Sequence, residues 1–460
     1  MNMNRSALLA LVLAATAAPL AAQQTPPAPG TPKNVTVPEP RTFTLDNGLK
    51  VSMLPFGEVP KVDAQLVVRV GNVNENENEV WLADLMADLM REGTSTRTSQ
   101  QVSLDAARMG GGVGISVSSD ELSVSGSALA ESAGDLVRLL ADLAMEPAFP
   151  ESELARLKAN RLRSLAVQKS QPQSLALEKF QAVLYPGHPY GRVFPTEAMI
   201  QSYTIDQIRA FYQTHIGAAR SHLFVVGRFD PAQMEQVVRQ AFSGWKAGSP
   251  AVSNVPASTP SSRVIHIIDR PAAVQSSMYI GLPVVDPSHP DYVALQVTNM
   301  LLGGAFGSRI TRNIREDKGY TYSPGSFVST RFRSGYWAEV ADVTTNVTGE
   351  SLKEIFLEIE RLRNEPPPAD ELRGIQNYMA GNFTLGSASR GGVLGQLRMR
   401  NLHGLPLSYH ADYVRKVHAV TPAEVQRIAR TYLDPAKMVI VIVGDRATVA
   451  EQVRPYGTVQ

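Results

Sequence analysis

Asp84 and Asp88 stand four residues apart in residues 80–94, Val-Trp-Leu-Ala-Asp-Leu-Met-Ala-Asp-Leu-Met-Arg-Glu-Gly-Thr. Leu82, Leu85, Met86 and Leu89 fall at i, i+3, i+4 and i+7, the apolar stripe of a helix. The two aspartates lie off that stripe and share a face. Two carboxylates so placed can hold a hard cation, which prefers oxygen ligands. They also fit a solvated polar face, and that is the expectation here, because charged side chains are mostly exposed and unliganded. Ala87, on the same turn, has nothing to take a proton from water, so a hydrolase built here lacks its general base. Other chemistry-bearing residues are scattered. His215, His222, His266, His289, His403, His410 and His418 include no His-x-x-x-His pair. No Gly-x-Ser-x-Gly elbow occurs. Gly303-Gly304 lacks the Lys-Ser/Thr of a phosphate loop. The absence of cysteine removes disulfides, iron–sulfur clusters and thiolate zinc sites.

The chain has 460 residues, 43% of them hydrophobic, and a net charge of +1. It can fill two or more cores, and no basic excess points to nucleic acid. Arg5, the apolar run 7–18 and Pro19-Leu20-Ala21-Ala22 read as a secretory signal, residues 1–22, cleaved after Ala22. The run is too short to span a bilayer, and no later segment reaches spanning length. This predicts a periplasmic or secreted protein. Residues 23–40 read as a poorly ordered leader.

Asn47-Gly48 within 43–51 predicts a hairpin. Residues 62–70 predict a strand, 101–109 a helix, and 113–127 a hairpin turning near Ser119-Asp120. Helices are expected at 130–145, 150–169, 204–216 and 230–242, with a strand at 220–227. Residues 246–262, rich in Pro, Ser and Ala, read as a linker between domains 41–245 and 263–460. The second domain repeats the first. Thr204-Ile205-Asp206-Gln207-Ile208 returns as Thr421-Pro422-Ala423-Glu424-Val425, and Val225-Val226-Gly227 as Ile442-Val443-Gly444, both 217 residues on. Pro150-Glu151-Ser152-Glu153-Leu154 returns 218 residues on as Pro368-Ala369-Asp370-Glu371-Leu372. That period is too long for a solenoid. It predicts two homologous α+β domains in tandem, each a mixed, mostly antiparallel sheet packed with helices.

The flanks of the acid pair carry a resemblance. Gly71 and Glu75 upstream, Gly93-Thr94 downstream, the opening Leu45-Asp46-Asn47-Gly48-Leu49-Lys50-Val51 and the loop Tyr185-Pro186-Gly187-His188-Pro189-Tyr190-Gly191 all take part. The closest match is Leu302-Gly303-Gly304-Ala305-Phe306-Gly307-Ser308-Arg309, followed by Arg315-Glu316-Asp317-Lys318-Gly319-Tyr320-Thr321-Tyr322. These segments resemble the pitrilysin (insulinase) family of zinc metallopeptidases over nearly all of residues 41–457. The family's His-x-x-Glu-His stands here as Asp84, Ala87 and Asp88. Active relatives take a third ligand, a glutamate, from the second helix, and no Asp or Glu occurs here between Glu153 and Glu178.

The resemblance therefore implies a degenerate zinc motif, no metal and no cofactor in this chain. It assigns Arg315 and Tyr322 to the family's Arg/Tyr pair. A guanidinium and a phenol can donate to a carbonyl oxygen as it gathers charge. Gly319 is expected to stop a helix, with a strand at 320–328 carrying Tyr322. Without the resemblance, Arg315 pairs with a nearby acid and Tyr322 packs in the sheet. His188, in its Pro-flanked turn, reads as structural. In the family the first strand of the 113–127 hairpin is a sheet edge to which extended substrate adds.

The implied protein is the zinc-less subunit, inactive alone, of a heteromeric metallopeptidase. A homologous zinc-binding subunit would complete it, forming a clamshell around unfolded peptide. The alternative is a non-enzymatic scaffold or peptide-binding protein of the same fold. A third reading, a peptidase with another ion at Asp84 and Asp88, fails on Ala87.

Overall fold

The computed structural model describes residues 38–253, 255–256 and 262–460. The expected signal, most of the leader and part of the expected linker lie outside the described residues. The first half is built on a six-stranded sheet, ordered β1-β2-β6-β3-β5-β4. Its strands are β1 Arg41–Thr44, β2 Lys50–Pro55, β3 Lys61–Val68, β4 Gly112–Val117, β5 Leu122–Leu129 and β6 Ser221–Gly227. The expected opening hairpin is β1 on β2, with Thr44 opposite Lys50. β4 is an edge strand, paired only with β5.

The second half is a five-stranded sheet, β7-β11-β8-β10-β9. It contains β7 Val264–Asp269, β8 Gln275–Val284, β9 Gly325–Arg331, β10 Ser334–Thr344 and β11 Val439–Gly444. In each sheet one pair is parallel, β2 with β6 and β7 with β11, and the other pairs are antiparallel. The repeat is thus physical, with β6 and β11 in the same place. The helices that precede them start alike. Thr204 and Thr421 each accept a hydrogen bond at 3.2 Å from the backbone N–H three residues on.

One expected element is displaced. The strand expected at 320–328 starts at Gly325, and only an isolated bridge joins Thr321 to Val343. Pro324 has no N–H to give to a ladder, so Tyr322 lies outside the sheet.

Two helices that periodicity did not single out tie the halves together. Pro172–Leu184, which follows the long helix Glu151–Ser170, crosses to the second sheet. There Ala176, Phe180 and Leu184 pack with Tyr336, Ala338, Val439, Val441 and Val443. Its counterpart Arg390–His403 follows Ala369–Ser387 and crosses to the first sheet. Val393 and Leu397 pack there with Leu54, Val67, Phe224 and Val226. Arg398 Nε bonds Glu121 Oε2 at 2.7 Å, Arg390 Nε bonds Asp63 Oδ2 at 3.2 Å, and His222 Nδ1 meets Asn401 Oδ1 at 2.8 Å. Each central strand is therefore covered on both faces, which is why Val439-Ile440-Val441-Ile442-Val443 is a continuous apolar run rather than an alternating one.

The exchanged helix places a testable load on one ring. Phe180 is fully buried between Tyr279 and Tyr336. Phe180→Ala is expected to cost about 3–5 kcal/mol and to destabilise both halves together in urea unfolding followed by tryptophan fluorescence. An unchanged midpoint would show that the helix contributes no stability.

Candidate functional site

The helix carrying the acid pair is Leu82–Met90. Its N-terminus is held unusually. Trp81, the residue before it, is left-handed at φ 68°, a conformation that costs a bulky residue strain. Glu75 holds it there: Oε2 accepts the Trp81 N–H at 3.1 Å and Oε1 the Ala83 N–H at 2.9 Å. The Trp81 indole donates to the Val193 carbonyl at 3.0 Å. Glu75, expected only as a flanking match, is thus the carboxyl that caps this helix. Asn72 Nδ2 bridges Glu75 Oε1 and Asp84 Oδ2, at 3.2 and 2.8 Å.

Asp84 and Asp88 are not the solvated acids expected. Their side chains are 22% and 13% exposed, and both are claimed by Arg161 from the middle of Glu151–Ser170. Arg161 Nε donates to Asp88 Oδ2 at 2.6 Å, Nη1 to Asp84 Oδ1 at 3.2 Å and Nη2 to the Asp84 carbonyl at 3.0 Å. Arg91 adds a second cation on Asp88 at 2.8 Å. Burial raises the Asp84 carboxyl, and the Arg161 charge opposes it. Where the resemblance implies a zinc-binding glutamate, the helix Glu151–Ser170 turns a guanidinium toward the acid pair.

Zinc does not fit this site. It takes imidazole, thiolate and carboxylate ligands in a tetrahedral set, usually four of them. The two carboxylates here are already neutralised and Ala87 offers nothing. Among the described residues no group of three or more His, Cys, Asp or Glu could hold a metal ion. The possibility of another ion at Asp84 and Asp88 meets the same obstacle.

Arg91 has a further effect. Its Nε donates to the Ile115 carbonyl on β4 at 3.0 Å. It sits against that edge strand, although a Cβ at Gly112 or Gly114 would meet nothing within 4 Å. The edge is bare at its glycines and occupied at Ile115.

The second constellation is differently placed. After Tyr292–Asn299 the chain makes a wide π turn at Met300–Gly304, a short helix Arg309–Thr311 and a second π turn at Arg312–Asp317. Gly319, at φ 65°, ends it as expected. The turns are pinned from behind. Arg309 makes a bidentate pair with Glu371, at 2.9 and 2.7 Å, and Asn313 Nδ2 donates to Glu354 and Glu358 at 3.0 and 2.9 Å.

Arg315 then faces forward, with its guanidinium carbon 4.3 Å from the Phe306 ring centre and 5.0 Å from that of Tyr322. Phe306 and Tyr322 are 70% and 81% exposed. Among the described residues no carboxylate lies within ion-pair distance of Arg315. Neither half of the plain reading holds: Arg315 has no acid partner, and Tyr322 does not pack in the sheet. The structure brings Arg315 and Tyr322 together and adds Phe306. His188 is buried against Tyr190, whose N–H its Nδ1 accepts at 3.1 Å, consistent with a structural role.

Two family profiles match consecutive parts of the chain. Residues 58–194 match the profile described as Insulinase (Peptidase family M16), and residues 202–379 that described as Peptidase M16 inactive domain. The chain belongs to the M16, or insulinase, family. An uncharacterized zinc protease of Rickettsia felis is 24% identical over 330 residues, covering 72% of this chain and 79% of the relative. Among solved structures, a peptidase M16 inactive domain from Pseudomonas fluorescens is 26% identical with a TM-score of 0.81, covering 88% of this chain and 98% of that one. A protease from Helicobacter pylori shares the fold at 19% identity and a TM-score of 0.83, over 88% and 100%. In this M16 chain the helix Leu82–Met90 is closed by Arg161, and its residues do not fit zinc.

Two expectations follow from the acid site. Removing one partner of a buried ion pair is far more costly than removing both. Arg161→Met is expected to destabilise by about 3 kcal/mol, and adding Asp84→Asn and Asp88→Asn to recover much of it. Equal losses in the single and triple variants would mean the guanidinium packs rather than pairs.

Glu75 adds a pH dependence. Burial, with Asp84's charge next to it, pushes its carboxyl from the ordinary 4.5 to about 8, against the backbone bonds that pull it down. The folded state holds the extra proton, so stability declines as pH rises from about 4.5 to about 8 and levels beyond. Glu75→Gln is expected to flatten that part of the profile in denaturation series across the window. Identical slopes would mean the carboxyl is ionised throughout.

Proposed function

We propose that this chain is the zinc-less subunit of an exported two-chain M16 peptidase. A homologous partner brings His-x-x-Glu-His and zinc, and this chain brings Arg315 and Tyr322 to the peptide held between them. The observation that carries this reading is the contrast between the two constellations. The acid helix is closed by Arg161, and its neighbouring edge strand is held by Arg91. The turns that carry Arg315 are pinned through Arg309 and Asn313, and Arg315 meets the exposed rings of Phe306 and Tyr322 with no carboxylate partner among the described residues.

A guanidinium and a phenol so placed suit two tasks. They can hold the backbone of an extended, unfolded peptide, and they can donate to the carbonyl oxygen as charge builds in hydrolysis. Ala87 leaves the acid helix without a general base at that position, so activity is assigned to the complex rather than to the isolated chain. Export rests on the apolar run and small-residue site ahead of residue 23. Of the second reading, a scaffold or peptide-binding protein, the hydrogen bond from Arg91 to Ile115 favours the scaffold, because it closes part of the edge to which an extended peptide would add.

The test is reconstitution with a zinc-binding M16 homologue from the same genome. Arg315→Ala and Tyr322→Phe are each expected to lower peptide turnover by roughly a hundredfold while leaving assembly intact. If the complex forms and both variants turn over peptide normally, the scaffold reading stands instead.

A further inference from the structure

A cavity of about 650 Å³ lies where the exchanged helix Arg390–His403 meets Pro406, Leu407, the short helix Ser408–Ala411 and residues Pro38 and Glu39. That is within the size range of small-molecule sites. Val393, Leu397 and Leu407 give it apolar walls. Its polar side is unusual. Arg400 Nε, His410 Nδ1 and Gln396 Oε1 are buried and have no hydrogen-bond partner among the described residues, whereas buried polar groups are nearly always paired. Among the described residues no carboxylate lies within ion-pair distance of Arg400. Glu39, at the mouth, acts on it only through space.

The charge at the cavity is set by Arg400. Burial, with the Arg400 charge adding to it, holds the His410 imidazole down to about 4, so it is neutral at pH 7. One guanidinium facing apolar walls, with one neutral imidazole beside it, has too few cationic groups for a doubly charged phosphate. It matches a single planar carboxylate, which a guanidinium grips through two parallel hydrogen bonds.

We infer that this cavity binds a carboxylate carried on an apolar body, with Arg400 as its counter-ion and Val393, Leu397 and Leu407 against the tail. Glu39 is then the built-in competitor, a carboxylate of the same charge waiting at the entrance. Fatty acids and the C-terminus of an apolar peptide share this chemistry. The site is remote in chain and chemistry from Arg315 and Tyr322, and its test does not involve peptide turnover.

The test is titration of the full chain with dansyl-labelled undecanoic acid, followed by fluorescence. Saturable one-to-one uptake is expected, displaced by an anionic competitor and not by decanol. Displacement by decanoate assigns the site to fatty acids, and displacement by acetyl-leucyl-leucine but not its amide assigns it to peptide C-termini. Arg400→Gln is expected to weaken uptake by more than roughly tenfold, through the loss of the paired charge and its two parallel hydrogen bonds. Glu39→Gln is expected to strengthen it, a gain that misfolding cannot imitate. The inference is overturned if no saturable uptake occurs, if decanol competes as well as decanoate, if Arg400→Gln binds like the parent, or if Glu39→Gln binds more weakly.

Discussion

The guanidinium of Arg161 between two aspartates is the constraint on which the first half depends. It joins Leu82–Met90 to Glu151–Ser170 through three hydrogen bonds that use both carboxylates and a backbone carbonyl. A divalent metal between the same two helices would perform the same mechanical task by other means. Here one positive charge on a side chain does it. A guanidinium never gives up its proton in a protein and polarises no water for attack. The helix pair is a structural joint.

Much of this architecture was legible in the sequence, for local reasons. Asn47-Gly48 marks a turn because of the backbone it adopts, Gly319 ends a helix for the same reason, and the repeat is visible because the Thr204 and Thr421 caps need the same residue type. What escaped was tertiary. Asp84 and Asp88 read as solvated because their partner, Arg161, lies more than seventy positions away, in a helix that carries no acid after Glu153. Tyr322 was expected on a strand because Tyr, Thr and Tyr favour strands, but Pro324 governs where the ladder can begin.

The exchanged helices escaped for a related reason. Pro172–Leu184 is apolar where it meets the other sheet, and that face follows no pattern set by its own domain. Phe306, Arg91, Arg400 and His410 carry no spacing signal at all. Each acquires its role from a neighbour brought in by the fold: a ring stacked on a guanidinium, an edge carbonyl, a cavity wall.

Crossing of the two helices also makes the halves interdependent. A single copy of this α+β unit, standing alone, would offer water the apolar sheet face that now receives its sister's helix, Val439, Val441 and Val443 in one case and Leu54, Phe224 and Val226 in the other. Apolar patches of that kind call for a cover. Each half is finished only by a helix that the other lends it.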